Sequence, residues 1–348
     1  MMNFAIAGCG HIAGKHIEAI ENTEGARLVA VCDPNPGRLA EMRTRLPDAA
    51  CYAELGTLLE REPDVDAVCV CAPSGLHAQL ALKAAAAGKH LVLEKPVTLA
   101  LEEAERLRQA VRAAGVRAAV VHPNRFRPAI RHLKNALAQN RFGKLSHVNV
   151  TVRWNRSQAY YDQAAWRGTK AMDGGVLMNQ AIHGLDLLQW LFGPVAEVKS
   201  LVATRVRRIE AEDVAIAAIR LESGALGVIE AATTVYGHNL EETIAVFGET
   251  GYAVIGGRTA NWIRHWACAG MSEEDTAALI REVEQDPYGI PGHQCIIADL
   301  VRAAEEGREP AVTLEDGIRA VELALQMTGG GRGGDFRLVP EGAGKGEV

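Results

Sequence analysis

Along the first 121 residues, short apolar runs alternate with longer stretches whose apolar positions recur at three and four. The runs Phe4–Ala7, Arg27–Cys32, Ala67–Cys71, His90–Leu93 and Val116–Val121 read as strands, with a weaker one at Cys51-Tyr52. Ala67–Cys71 is apolar throughout, as a parallel strand covered on both faces should be. Between the strands, helical spacing runs to about Glu21, then over Pro36–Leu46, Leu55–Arg61, Leu76–Ala87 and Leu101–Ala114, with Gly88 and Gly115 placed as C-caps. Repeated strand–helix units of this length predict a right-handed, doubly wound parallel sheet.

After His122 the pattern changes. A helix is expected over Pro128–Gln139, an extended segment over Leu145–Trp154, and an aromatic irregular loop over residues 155–173. One amphipathic helix is predicted over Val176–Leu191. Strands with hairpin turns such as Glu222-Ser223-Gly224 follow from Val195 to about Trp266, and helices return near 273–282, 291–306 and 314–327. The expected class is therefore α/β, with a first domain over 1–122 and an α+β domain with a mainly antiparallel sheet over 123–348. Residues 341–348 read as a frayed polar tail.

Composition narrows the function. The 348 residues suggest two domains. A formal charge of −6 without a basic stripe speaks against a nucleic-acid partner. No apolar run approaches the ~20 residues that span a bilayer, so no membrane partner is expected. Met1 leads straight into an apolar strand, so no leader is expected either, and seven cysteines without a CxxC pair suit a reducing cytoplasm. Cys69 and Cys71 share a strand face and read as packing. No His/Cys set has zinc spacing, and no metal is expected.

Of the 35 glycines, Gly8 and Gly10 carry the first chemical signal. Gly8-x-Gly10-x-x-Ala13 lies between a strand and a helix at the start of a βαβ unit, where free N–H groups and the helix dipole favour a pyrophosphate. His11 and Ile12 belong to the same turn. Asp33 ends the second strand, 23 residues after Gly10, where a carboxylate accepts ribose hydroxyls and repels a 2′-phosphate, with Arg38 close behind. This is the Rossmann arrangement, and it favours NAD over NADP. Pro73 and His77 follow the fourth strand at the sheet edge where ligands lie; His77 reads either as a helix-entry histidine or as a cofactor neighbour.

Two further segments complete a pattern. Glu94-Lys95-Pro96 ends the fifth strand, and Gly174-Gly175-x5-Ala181-x-His183-x2-Asp186 opens the long predicted helix. Together with the glycine turn they resemble the glucose–fructose oxidoreductase/inositol dehydrogenase (Gfo/Idh/MocA) family over roughly residues 2–340. The resemblance implies oxidation or reduction of a sugar or cyclitol carbon with a tightly held nicotinamide cofactor, and a second domain built on a large open sheet. It places Lys95 beside the nicotinamide and the reacting carbon, with Glu94 and Pro96 shaping the turn and the Lys95–Pro96 bond as a candidate cis peptide. Independently, a lysine at a sheet edge against apolar walls can lose its proton readily enough to exchange it with a hydroxyl. The resemblance makes His183 the partner that binds the reacting hydroxyl. Asn179, four residues earlier, is expected on the same helix face. Many inositol dehydrogenase relatives carry Asp there; an Asn orients by hydrogen bonds but cannot hold an imidazolium by charge.

The strip Val152–Tyr161 with Trp166-Arg167-Gly168-Thr169 is similar to the branch of that family that oxidises C3 of UDP-N-acetylglucosamine or its uronate. Arg156 and Arg167 suit diphosphate or carboxylate groups. Tyr160, Tyr161 and Trp166 offer faces for a sugar, uracil or nicotinamide, or else hold a subunit interface. His293 and Asn124 are further candidates, for the substrate and for the nicotinamide ribose; Arg125 reads equally as an ion-pair partner. A free sugar or cyclitol is the alternative substrate, and an NAD-binding sensor the alternative class. Family likeness, and the cover that an open sheet face needs, predict a homodimer or homotetramer.

Overall fold

A computed structural model describes residues 1–330; part of the Gly329–Gly334 run and the tail lie outside that range. Six parallel strands form the first sheet: β1 (Met2–Ala7), β2 (Ala26–Cys32), β3 (Ala50–Tyr52), β4 (Ala67–Val70), β5 (His90–Leu93) and β6 (Ala118–Val120), in the order β3-β2-β1-β4-β5-β6. The order reverses between β1 and β4, and the glycine turn after β1 opens there. Helices α1 (Ala13–Glu21), α2 (Pro36–Arg45), α3 (Leu55–Arg61), α4 (His77–Ala86) and α5 (Leu101–Ala114) make the crossovers. Asn35 caps α2 by accepting the Gly37 and Arg38 amides, and Gly115 ends α5 in the left-handed conformation. All four residues of β4 are buried, as the unbroken apolar run requires.

The second sheet has seven strands: β7 (Leu145–Arg153), β8 (Val195–Ala203), β9 (Val214–Leu221), β10 (Leu226–Ala232), β11 (Glu241–Gly248), β12 (Gly251–Gly256) and β13 (Trp262–Cys268). Their order is β13-β12-β11-β7-β10-β9-β8, antiparallel except for the central β7–β10 pair, which is parallel. Helices α6 (Pro128–Ala138), α7 (Gln158–Asp162), α8 (Gly175–Asn179), α9 (Ile182–Phe192), α10 (Glu273–Gln285), α11 (Gly292–Glu306) and α12 (Leu314–Leu325) are the further α-helices among the described residues. The side chains of α9 and the inward side chains of the second sheet share one core with β4 and β5. The helix α11 returns to the first sheet, where Ile296, Ile297, Leu300 and Val301 join Phe4, Ile6 and Ile17. Each such fully buried side chain stabilises the fold by about 1.5–3 kcal/mol.

Two expectations change. The helix predicted over Val176–Leu191 is two helices: the Ala181 amide reaches back five residues to the Val176 carbonyl, and this wide turn separates α8 from α9. Asn179 and His183 therefore do not share one regular helix face. The aromatic loop also holds a short helix, α7, capped by the Ser157 hydroxyl.

Candidate active site

At the C-terminal edge of the parallel sheet two cavities adjoin, of about 1050 and 410 Å³. Gly8, Gly10, His11, Ile12, Asp33, Arg38, Pro73, His77, Glu94, Trp166 and Arg167 line the larger. His183, Trp154, Asn155 and Gln180 line the smaller. Lys95, Arg156, Tyr160 and Asn179 line both, so these four mark the junction.

The glycine turn divides its labour. Gly8 has φ +102°, and a side chain there would strike the Cys71 carbonyl carbon at 2.7 Å, so Gly8 lets β1 and β4 close together. A Cβ on Gly10 would meet nothing within 4 Å, so Gly10 keeps the cavity floor open. Asp33 is oriented in advance: Oδ2 accepts the Cys9 amide at 2.8 Å, Oδ1 accepts the Asn35 amide at 2.8 Å, and Arg38 sits 3.3 Å from Oδ2. Such a carboxylate beside an open backbone turn at a helix N-terminus fits a dinucleotide. The His77 ring lies between the Pro96 and Ala72 carbonyls, at 2.7 and 2.8 Å, and ties the lysine loop to the end of β4.

Lys95 follows β5, and its bond to Pro96 is cis. Its Nζ donates to the Asn179 carbonyl at 2.6 Å and to Asn179 Oδ1 at 3.3 Å. Burial lowers its pKa, opposed by the Glu94 and Asp173 charges. Asn179 is fixed from its other end, because its Nδ2 donates to Asp173 Oδ1. Asp173 is buried and also accepts the Gly168 amide at 2.7 Å; burial raises its pKa. His183 is pushed well below its ordinary pKa by burial, then by the nearby charge of Lys95 and by His122, and is neutral at pH 7.

Above these groups runs a ladder of alternating rings and guanidinium groups. Arg156 lies 5.0 Å from the Trp154 ring centre and 5.3 Å from that of Tyr160; Arg167 lies 4.2 Å from Tyr160 and 4.9 Å from Trp166. Asn239 holds Arg156 Nη1 at 3.1 Å. Among the described residues neither Arg156 nor Arg167 is paired with a carboxylate.

Three sequence candidates lie elsewhere. Tyr161 is buried with its hydroxyl 3.1 Å from the Thr233 hydroxyl, so it anchors α7 instead of lining a cavity. Asn124 donates to Glu242 Oε1 at 3.1 Å, away from both cavities; burial raises the Glu242 pKa to about 7. His293 lies behind the lysine loop, 3.4 Å from Glu94, against His16. Arg125 takes the ion-pair alternative, with Nε and Nη2 on Asp186. Two positioning groups escaped the sequence reading. Asp173 left only its place beside Gly174-Gly175 as a signal, and Asn239, some 80 residues from Arg156, left none.

Residues 2–122 match the oxidoreductase family with an NAD-binding Rossmann fold, and residues 130–254 match the GFO/IDH/MocA C-terminal domain. The WlbA dehydrogenase of Bordetella pertussis, solved with NADH and UDP-GlcNAcA, is 36% identical, covers 95% of each chain and superposes with a TM-score of 0.87. The WlbA dehydrogenase of Chromobacterium violaceum, also solved with NADH and UDP-GlcNAcA, is 35% identical over 95% of this chain and 94% of that one, with a TM-score of 0.88. Myo-inositol 2-dehydrogenase of Thermotoga maritima is 30% identical over 92% of this chain and 94% of its own length. With both domain types matched in order, this chain belongs to the GFO/IDH/MocA family and is an NAD-dependent sugar oxidoreductase.

Proposed function

We propose that the chain oxidises a secondary hydroxyl of an anionic sugar, C3 of a UDP-N-acetylhexosamine or of its uronate. The observation that carries this is the pair Arg156 and Arg167, two cavity-lining cations with no carboxylate partner among the described residues. A neutral cyclitol has no group for either, whereas a diphosphate or uronate takes both by charge-assisted hydrogen bonds.

The larger cavity takes the cofactor, and NAD when bound supplies the hydride acceptor. Gly10, His11, Ile12 and the start of α1 face its pyrophosphate, Asp33 and Arg38 its adenosine ribose, and Pro73, His77, Glu94 and Trp166 the remaining walls. The smaller cavity takes the sugar. Lys95 and His183 hold the reacting hydroxyl and between them take its proton; both are shifted by burial toward the neutral form that a base requires. Asn179, fixed between Lys95 and Asp173, orients the ring, and Tyr160 offers it a stacking face. A second reading, oxidation of a free cyclitol, is favoured by the Thermotoga maritima relative. We also place the protein in a reducing cytoplasm, which suits its buried free thiols, and read the exposed face of the second sheet as the contact with another copy, in a homodimer or homotetramer.

The test is NADH absorbance with UDP-N-acetylglucosamine, UDP-N-acetylglucosaminuronate, myo-inositol and scyllo-inositol. Turnover is expected on a UDP-sugar and is expected to fall about a hundredfold or more in Lys95→Ala, with NAD still bound. Turnover on an inositol alone establishes the second reading, and full activity of Lys95→Ala removes the assigned role of the lysine.

A further inference from the structure

His122 follows β6, is 1% exposed, and lines neither cavity. Its Nδ1 faces His183 Nδ1 at 3.4 Å, with the two rings edge to face. Its Nε2 lies 3.9 Å from Asp186 Oδ1. Asp186 is paired with Arg125, whose Nε donates to Oδ2 at 2.8 Å and whose Nη2 donates to Oδ1 at 2.5 Å; Arg125 also reaches Asp316.

Two nitrogens facing each other share one proton. The groups around His122 say which ring owns it. Burial keeps His122 neutral, with Arg125 and Lys95 disfavouring a second charge against the pull of Asp186 and Asp316. Its single proton belongs on Nε2, toward the Asp186 carboxylate, where an N–H gains and a lone pair would be repelled. Nδ1 of His122 is then an acceptor, and the shared proton is the one on His183 Nδ1.

We infer that His122, with its Nε2 facing the Asp186 carboxylate, is a positioning residue that fixes His183 in its Nδ1–H tautomer. The lone pair of Nε2, on the other side of the ring, is thereby left for the cavity that His183 lines. This rests on the proposed role of His183 as a proton acceptor. In that step the hydroxyl O–H bond breaks, its proton bonds to His183 Nε2, the oxygen electrons complete the C=O bond, and the carbon loses hydride to NAD. The imidazolium formed has an Nδ1–H already directed at an acceptor, as a base needs when it gains charge. The other charged groups facing His183 are Lys95, Glu94 and Arg127, and among the described residues none of these is hydrogen-bonded to its ring, whereas His122 is.

The first measurement is ¹⁵N NMR of the intact protein labelled at histidine, with His183 assigned by its loss in His183→Asn. A protonated Nδ1 and a bare Nε2 are expected at pH 7, moving toward the opposite tautomer in His122→Leu. An Nε2–H tautomer in the unaltered protein overturns the inference. The second is the kinetics with the UDP-sugar or inositol that the panel shows to turn over. His122→Leu should lower kcat about tenfold or more, with KM within about threefold. His122→Asn keeps an acceptor near the Nδ1 position and should recover most of the loss. Equal losses in both variants at unchanged NAD affinity indicate packing alone and refute the proposal. If His183→Asn is fully active, the base assignment fails instead, whatever the tautomer.

Discussion

Glu94 shows how one side chain serves two purposes. It lines the larger cavity next to Lys95, and its Oε1 lies 2.9 Å from His16 and 3.4 Å from His293. Burial alone would raise its pKa; hydrogen bonds and charge from the two histidines bring it well below the ordinary carboxylate value. Burial lowers His16, while Cys71, Cys69 and Glu94 pull it well above the ordinary imidazole value; the Cys71 thiol is itself pushed up to about 11, so Glu94 is the charged partner. The signs are opposite. The Glu94 contribution to stability is present above the ordinary carboxylate pKa and is lost as pH falls through its lowered value. The His16 contribution is present below the ordinary imidazole pKa and is lost as pH rises through its raised value. The pair therefore stabilises most between those limits. Glu94→Gln leaves His16 without its charge partner and should cost roughly 3 kcal/mol at neutral pH, removing the acid-side decline as well. Urea midpoints against pH measure both, and an unchanged curve would mean that the pair contributes nothing.

At the level of elements, the glycine turn allows a sharper test than its sequence did. Spacing alone assigned Gly8 the tight turn and Gly10 the approach to a ligand, and the backbone separates these physically. Gly8→Ala forces a side chain into a left-handed residue and against the Cys71 carbonyl, which should cost about 1–3 kcal/mol or more of stability. Gly10→Ala projects a methyl group into open space in the cavity wall. It should leave the thermal midpoint unchanged and weaken NAD about tenfold, or 1.4 kcal/mol. Calorimetry of unfolding and of NAD binding on both variants separates the effects; a stability loss in Gly10→Ala would contradict this division. Buried parallel strands such as β4 and β5 were legible because each is a mostly apolar run bounded by a charge, Asp66 before β4 and Glu94 after β5. The break between α8 and α9 was not, since Val176–Leu191 keeps helical spacing straight through Gln180-Ala181. The wide turn there is a tertiary feature, with Lys95 reaching the Asn179 carbonyl from 84 residues away. Tyr161, Asn124 and His293 line neither cavity for a related reason: residue type says what a side chain can bind, whereas its direction off the backbone is decided by packing.

For the whole molecule, the face of the second sheet turned away from its helices is still to be accounted for. Leu201 pairs with Ile216, Val228 with Ala218 and Asn149, and Leu226 with His147, so these side chains stand in adjoining rows of one face. The His147, Phe247 and Tyr252 rings continue the last row, stacked at 4.5 and 6.4 Å. Leu201 is 62% exposed and Ile216 53%, which is a contiguous apolar surface that soluble monomers seldom leave uncovered. At its margins Arg153 pairs with Glu230 and Glu241, and Arg220 with Glu197. With both signs of charge on the same patch, a copy related by a twofold axis can set each cation against an anion. The expected state is therefore a dimer or tetramer closed through this face. Light scattering after size exclusion should give a multiple of the 37.3 kDa chain mass. Val228→Lys with Leu201→Glu should shift it to the monomer while NAD affinity is retained, because neither residue lines either cavity. A monomeric unaltered protein, or a double variant that assembles as before, would place the contact elsewhere.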